Sequence, residues 1–282
     1  APVVAAMNER NAALCEQLKA KGITPTLAVV RVGEREDDLS YERGVMTRCG
    51  KVGVAVRQFV LPADATQEQL LRVLDEVNTD DGIHGCLLFR PLPKQFDDRI
   101  VRAALRPEKD IDGITDGSLA GVFTNTDLGY APCTAQACME ILKYYNVPLS
   151  GKRAVVVGRS NIVGLPVSKL LLDENATVTV THSRTRDLGE VTRGAEILVV
   201  AIGRPKFVTA DMVSEGTVVI DVGVNRDPET GKLCGDVDFA AVEPKASVIT
   251  PVPGGVGPMT ICCLMENTIE CFLNKKNLFY LR

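Results

Sequence analysis

The sequence predicts an α/β protein built as two lobes, each around a parallel sheet. Three observations carry that expectation. Short β-rich runs alternate with stretches of helical periodicity along nearly the whole chain. The breaker "VPLSGK" (147–152) separates two such series. A hydrophobic content of 45% in 282 residues, with mean hydropathy +0.08, suffices for one large or two ordinary cores.

In the first series, "APVVAAMNERNAALCEQLKAKG" reads as an amphipathic helix. It lacks the basic flank and continuous apolar centre of a signal peptide, and a start at Ala1 suggests trimming or a shortened chain. "TLAVVRVG" (26–33) is a strand and 38–52 a helix; "AVRQFVL" (55–61) is a strand and 66–78 a helix opened by Thr66. "IHGCLLFRPL" (83–92) is a strand, and 97–105 and 134–146 are helices. The second series runs through strands at 153–158, 177–182, 196–202, 217–222 and 247–250, then a helix from Met259 to Leu273. The expected lobes are 1–147 and 148–261, with the terminal segment 262–282 returning to the first.

A net charge of -4 and a pI near 5.4 argue against nucleic acid or an anionic membrane as partner. No run of 18 apolar residues suggests a membrane span. Nine scattered cysteines fit buried thiols in a reducing cytoplasm rather than a disulfide framework. With two histidines in the chain, Cys133 and Cys138 suggest no zinc site, and no metal is expected.

"RAVVVGRSNIVGLPVSKLL" is the most interpretable local motif. A buried strand ends at Gly158, a polar loop with Arg159 and Ser160 follows, and Gly164 opens a helix whose N-terminus favours phosphate. It departs from G-x-G-x-x-G, so a bare strand–helix turn remains open on this segment alone. The next strand ends in Ser183 and Arg184, where NAD sites usually carry an acid for the ribose hydroxyl. A hydroxyl and guanidinium there, with Arg159, suit the 2′-phosphate of NADP over NAD; a solvated strand end is the alternative. His182 reads as structural. "AIGRP" (201–205) and "DVGVN" (221–225) also follow strands and would lie along the same sheet edge.

In "SYERGVMTRC" (40–49), Tyr41, Val45 and Cys49 share one helix face. Spacing alone leaves open a core stripe or the wall of a site.

"TPVPGGVGPMT" (250–260) is a constrained loop ahead of a helix, and it closely resembles the signature of the bifunctional methylenetetrahydrofolate dehydrogenase/methenyltetrahydrofolate cyclohydrolase (FolD) family. "PEKDIDG" (107–113), "PCT" (132–134), "VVVGRSNIVGLP" (155–166) and "GDVDF" (235–239) agree in order and spacing, so the resemblance covers nearly the whole chain.

The resemblance implies a folate lobe and a Rossmann-type dinucleotide lobe around a cleft, tetrahydrofolate derivatives as substrates, a homodimer and a place in one-carbon metabolism. It makes Tyr41 a folate-stacking, proton-relaying residue and Asp112 the acid that binds the pterin. Pro253, Gly254, Gly255, Val256 and Gly257 match the loop lining the folate site, and Leu88, Phe89 and Arg90 match its strand-end wall. Gly158, Arg159, Ser160, Ser183 and Val224 match dinucleotide-contacting positions, and Gly164 and Arg184 join them as cofactor-site candidates from the local motif and strand end.

Two departures stand out. The family carries a lysine four residues after the tyrosine, where this chain has Val45, and a glutamine where it has Phe89. Hydride transfer needs chiefly positioning, because the cofactor and substrate carry the chemistry. Opening the methenyl ring needs proton transfers, worth about 10²–10⁴-fold. The expectation is therefore a dehydrogenase with weak or lost cyclohydrolase activity. The alternatives are a bifunctional enzyme using a rearranged base and a non-catalytic binding homologue.

Overall fold

The computed structural model describes residues 2–275. They form two compact units, Pro2–Cys133 with the chain from Ile261 onward, and Thr134–Thr260. The boundary thus lies ahead of residue 148. The turn at Asn146 (φ 51°) leads directly into the next strand, so "VPLSGK" is a turn inside the second unit rather than a linker. Part of the expected terminal segment, 276–282, lies outside the described residues.

The first unit runs α1 (Pro2–Lys19), β1 (Thr26–Val32), α2 (Glu36–Val52), β2 (Ala55–Leu61), α3 (Gln67–Thr79), β3 (Gly85–Leu88), α4 (Asp98–Ala104) and α5 (Asp116–Thr124). Its parallel sheet has the order β2-β1-β3, with Thr26 opposite Ala55 and Leu27 opposite Gly85. Central β1 is buried on both faces, as expected of a covered parallel strand. Arg31 is its polar exception. Its Nε donates to Glu42 Oε2 of α2 at 3.0 Å, and Gln58 Nε2 of β2 donates to Glu42 Oε1 at 2.7 Å. This triangle pins α2 to two strands, one residue beyond Tyr41.

Thr66 and Gln69 close a capping box at the start of α3. The strand expected over 83–92 shortens to Gly85–Leu88, because Pro91 offers no ladder donor. The final helix, α10 (Val256–Lys275), begins three residues earlier than expected. Pro258 sits in its first turn, where a missing N–H is tolerated. From Ile261 onward α10 is buried nearly all round, with Asn267 Nδ2 donating to Ile111 O at 2.8 Å and Phe272 edge-on to His84.

The second unit contains α6 (Cys133–Tyr144, whose first residue belongs to the first unit), β4 (Arg153–Val157), α7 (Gly164–Asp173), β5 (Thr177–Thr181), α8 (Leu188–Arg193), β6 (Ile197–Val200), β7 (Val218–Asp221), β8 (Asn225–Arg226), β9 (Leu233–Cys234), α9 (Phe239–Val242) and β10 (Val248–Ile249). Five strands form a parallel sheet of order β10-β7-β6-β4-β5, and β8–β9 is a small antiparallel pair. The winding reverses between β4 and β6, and open α/β sheets bind ligands at the carboxyl ends of strands beside such a reversal.

All nine cysteines are free thiols; eight are buried and Cys234 is half-buried. Burial pushes the Cys15 thiol up to about 11 and those of Cys49 and Cys138 up to about 12. Among the described residues no helix is long and apolar enough to cross a membrane.

Candidate active site

In the first unit, α2 presents the half-buried Tyr41, whose ring meets Phe89. Phe89 follows β3 directly. Burial, and next the charge of Asp112, hold the tyrosine hydroxyl well above its usual range, so at neutral pH it is a proton donor. The thiols of Cys133 and Cys263 face the same hydroxyl electrostatically.

The segment "KDIDG" divides its labour. Lys109 donates to the carbonyls of Val77 and Asp80, and Asp110, fully buried, accepts from Ile114 N (3.0 Å), Thr115 N (2.7 Å) and Ser118 Oγ (2.7 Å). These two build the turn. Gly113 follows at φ +68°, where a Cβ would strike the backbone of Ala131 and Pro132. Asp112 is left as the acid of the site. Burial, reinforced by Asp110, raises its carboxyl to about 7, opposed by the Arg90 guanidinium and a hydrogen bond from Cys133. Arg90 is itself held by Asp98, through Nε at 2.8 Å and Nη2 at 2.6 Å.

Of the residues expected to touch substrate, Phe89 is buried against Tyr41 and three others are more buried still. Val45 (0% exposed) and Leu88 (2%) lie in the core, because the inward faces of α2 and β3 pack there; they support the wall from beneath. Val256 (3% exposed) opens α10 and turns inward. Pro253, Gly254 and Gly257 are exposed, and a Cβ on Gly254 or Gly257 would meet nothing within 4 Å, leaving their backbone approachable. This loop lies in the second unit.

At the carboxyl edge of the second sheet, Gly158 is buried at φ +123°, and a Cβ there would collide with Ala201 O. A Cβ on Gly164 would collide with Gly158 O, so the loop packs flush against the start of α7. The Ser160 hydroxyl accepts from Val163 N (3.1 Å) and, more weakly, Gly164 N (3.4 Å), so two of the helix's leading N–H groups are already engaged. Arg159, Ser183 and Arg184 are exposed beyond the neighbouring strands β4 and β5, and Val224 is 62% exposed. Cationic Arg159 and Arg184 beside a hydroxyl fit a phosphate-bearing dinucleotide. His182 Nδ1 accepts from Arg184 N at 3.2 Å, the structural role expected of it.

Two buried acids that sequence reasoning passed over order the remaining edge. Asp236 accepts from Ile202 N, Gly203 N and Arg204 N at 2.7–3.0 Å, and from Asn225 Nδ2 at 2.8 Å. Asp221 accepts from Gly223 N, Asp236 N and Val237 N at 3.0–3.1 Å. The alternation of glycine and aspartate in "DVGVN" and "GDVD" was the available signal: a Cβ on Gly223 or Gly235 would strike these carboxylates. Among the described residues no cluster of histidine, cysteine or acid is arranged to hold a metal.

Models of the tetrahydrofolate dehydrogenase/cyclohydrolase catalytic domain and of the NAD(P)-binding domain of the same family match residues 1–112 and 132–276. A bifunctional FolD protein of Carboxydothermus hydrogenoformans is 51% identical over 270 residues, covering 95% of this chain and 94% of that one. The crystal structure of bifunctional FolD from Campylobacter jejuni has a TM-score of 0.94 at 39% identity, covering 97% of each chain. The Trypanosoma brucei dehydrogenase-cyclohydrolase, solved with NADP cofactor and inhibitor, gives 0.92 at 36% identity over 99% of this chain and 96% of that one. These relatives are named for both activities, so the comparisons lend no support to the expected loss of one. The match extends over both units, and the chain belongs to the tetrahydrofolate dehydrogenase/cyclohydrolase family.

Proposed function

We propose that this chain oxidises 5,10-methylenetetrahydrofolate to the methenyl form with NADP. The observation that carries the reading is the grouping of Tyr41, Phe89 and Asp112 in the catalytic-domain match, with Arg159, Ser183 and Arg184 on the nucleotide-domain edge. NADP, when bound, supplies the hydride acceptor. Gly158 and Ser160 would cradle its phosphates, while Gly164, expected among them, packs behind the loop with its N–H already engaged. Arg159, Ser183 and Arg184 would meet the 2′-phosphate.

The chain's own residues bind and orient. Tyr41 offers a ring face to the folate and a protonated hydroxyl, and Asp112 accepts from the pterin amine as a carboxylate. Pro253, Gly254 and Gly257 are exposed with approachable backbone, which suits the folate-lining role the resemblance implies for this loop. No residue need remove a proton in the hydride step, and the cation formed is stabilised by the adjacent folate nitrogens. A cytoplasmic homodimer, expected from the resemblance, belongs to the same proposal. Mass measurement in solution tests the dimer.

For the methenyl product, the names of the relatives favour hydrolysis by the same chain, with Tyr41 and Asp112 as the protic groups at the site. A second reading, weak hydrolysis, is favoured by one observation: Val45 and Phe89 are buried and apolar where the family has a lysine and a glutamine. One assay separates these readings. Methylenetetrahydrofolate is supplied with NADP or NAD while nicotinamide reduction and methenyl concentration are followed. Rapid disappearance of methenyl supports bifunctionality, and its accumulation supports the second reading. Failure to reduce either cofactor overturns the dehydrogenase proposal, and a strong preference for NAD overturns the choice of NADP.

A further inference from the structure

On the flank of α2, Asn8 of α1 together with Arg43, Thr47, Arg48 and Lys51 lines a pocket of about 290 Å³. Three of its side chains are cations and none is an acid, in a chain of net charge -4. Arg48 is the unusual member. Among the described residues its half-buried guanidinium reaches only Asn8 Oδ1 at 3.5 Å and the Cys262 sulfur at 3.6 Å, and its buried Nε–H has no acceptor. The other arginines of this unit that are withdrawn from solvent all face carboxylates: Arg31 faces Glu42, Arg90 faces Asp98, and Arg102 faces Asp98 and Asp116. A guanidinium taken partly out of water without a counter-charge is costly, and a bound anion offsets that cost.

We propose that this pocket is an anion site for carboxylate or phosphate groups, received on the fork of Arg48 with Arg43 and Lys51 at its rim. Its place on α2 suggests where the anion comes from. Arg48 follows Tyr41 by seven residues, close to two helical turns, so the two lie near one face and about 10 Å apart along the axis. Val45 between them is buried and Gly44 approaches Ile261, so the glutamate carboxylates of a folate stacked on Tyr41 would reach the pocket over the exposed flank of α2. The substrate source rests on the dehydrogenase reading; free inorganic phosphate, the other source of the same chemistry, does not.

The test has two arms on the NADP-saturated protein, so that the nucleotide site is filled. In the first, the thermal midpoint is compared in potassium phosphate and in potassium chloride of equal ionic strength. A rise of roughly 2–4 °C is expected, and its loss in both Arg48→Met and the Arg43→Ala/Lys51→Ala double variant. The exposed double variant keeps the test valid where Arg48→Met fails to fold. In the second arm, KM is compared for methylenetetrahydrofolate bearing one or three glutamates. A KM about 10-fold lower for the longer tail, with the difference lost in the double variant, assigns the site to the substrate. A phosphate shift with equal KM values supports the site and assigns it to free phosphate. Neither effect, or effects that survive both variants, overturns it. Absence of NADP reduction with either substrate defeats the dehydrogenase reading and leaves the phosphate arm to judge the site.

Discussion

Tyr41 and Phe89 meet edge to face, their ring centroids 5.8 Å apart and their planes at 71°. The contact places an apolar ring where the family carries an amide, directly against the side chain expected to stack on folate. It also makes the wall stiff, since an aromatic pair adds about 0.5–1.5 kcal/mol beyond simple burial.

Restoring the family's lysine alone should harm the fold. Val45 has no exposed surface, so an ammonium introduced there is taken out of water into an apolar core. Val45→Lys is expected to lose about 2–4 kcal/mol in urea unfolding, with the new amine titrating below the usual lysine range. Adding Phe89→Gln should recover part of the loss and raise methenyl hydrolysis. Wild-type stability in the single variant would count against the packing described.

Asp112 gives a pH dependence whose sign is fixed. Its carboxyl titrates near 7 in the folded protein, above its unfolded value, so its contribution to stability is complete below about pH 4 and lost as pH rises through 7. Asp112→Asn should therefore leave stability unchanged at pH 4 and raise it by about 1–3 kcal/mol at pH 8. The carboxylate is the form that accepts from a pterin amine, so folate KM in the wild type should climb as pH falls below 7. The variant should have a high KM that is flat with pH.

The Arg31–Glu42 pair, with Gln58, anchors the helix that carries Tyr41. Removing one partner strands a buried charge, so Glu42→Ala is expected to cost about 3–5 kcal/mol. Arg31→Met/Glu42→Leu should cost less than either single change. Because the anchor adjoins Tyr41, any folded single variant should show a raised KM for folate and little change in NADP affinity.

Gly158→Ala tests the second unit in the same way. The residue combines φ +123° with contact against Ala201 O, so even a methyl displaces the loop. NADP binding, followed by fluorescence titration, should weaken at least tenfold while folate binding changes little.

The alternating architecture was legible in the sequence because β1, β4 and β6 are buried runs rich in valine, separated by amphipathic helices. Short pieces such as α5, α8 and the β8–β9 pair escaped, since elements of two to nine residues hold too little periodicity. The early start of α10 was hidden by three glycines and two prolines, which read as loop until the helix is seen to begin inside them. Tyr41 and Asp112 were singled out by their motifs, and the structure brings them within electrostatic reach of each other. Asp110 was not singled out, because a carboxylate that serves backbone N–H groups looks in sequence like any other surface acid, and Asp221 and Asp236 were betrayed only by the glycines packed against them. The inward burial of Val45 and Leu88 likewise depends on tertiary packing that spacing alone does not reveal.

The distribution of thiols turns the protein into its own unfolding reporter. Eight sulfhydryls are sealed in the core and one, Cys234, is within partial reach of solvent. An alkylating reagent added to the native enzyme should mark one site promptly. It should mark the other eight only as often as the surrounding structure opens, so the slow phase counts opening events and its rate under excess reagent becomes a clock. Read peptide by peptide, with Cys15, Cys49 and Cys86 reporting on one unit and Cys138 on the other, the same chemistry would tell whether the two halves come apart together or in turn.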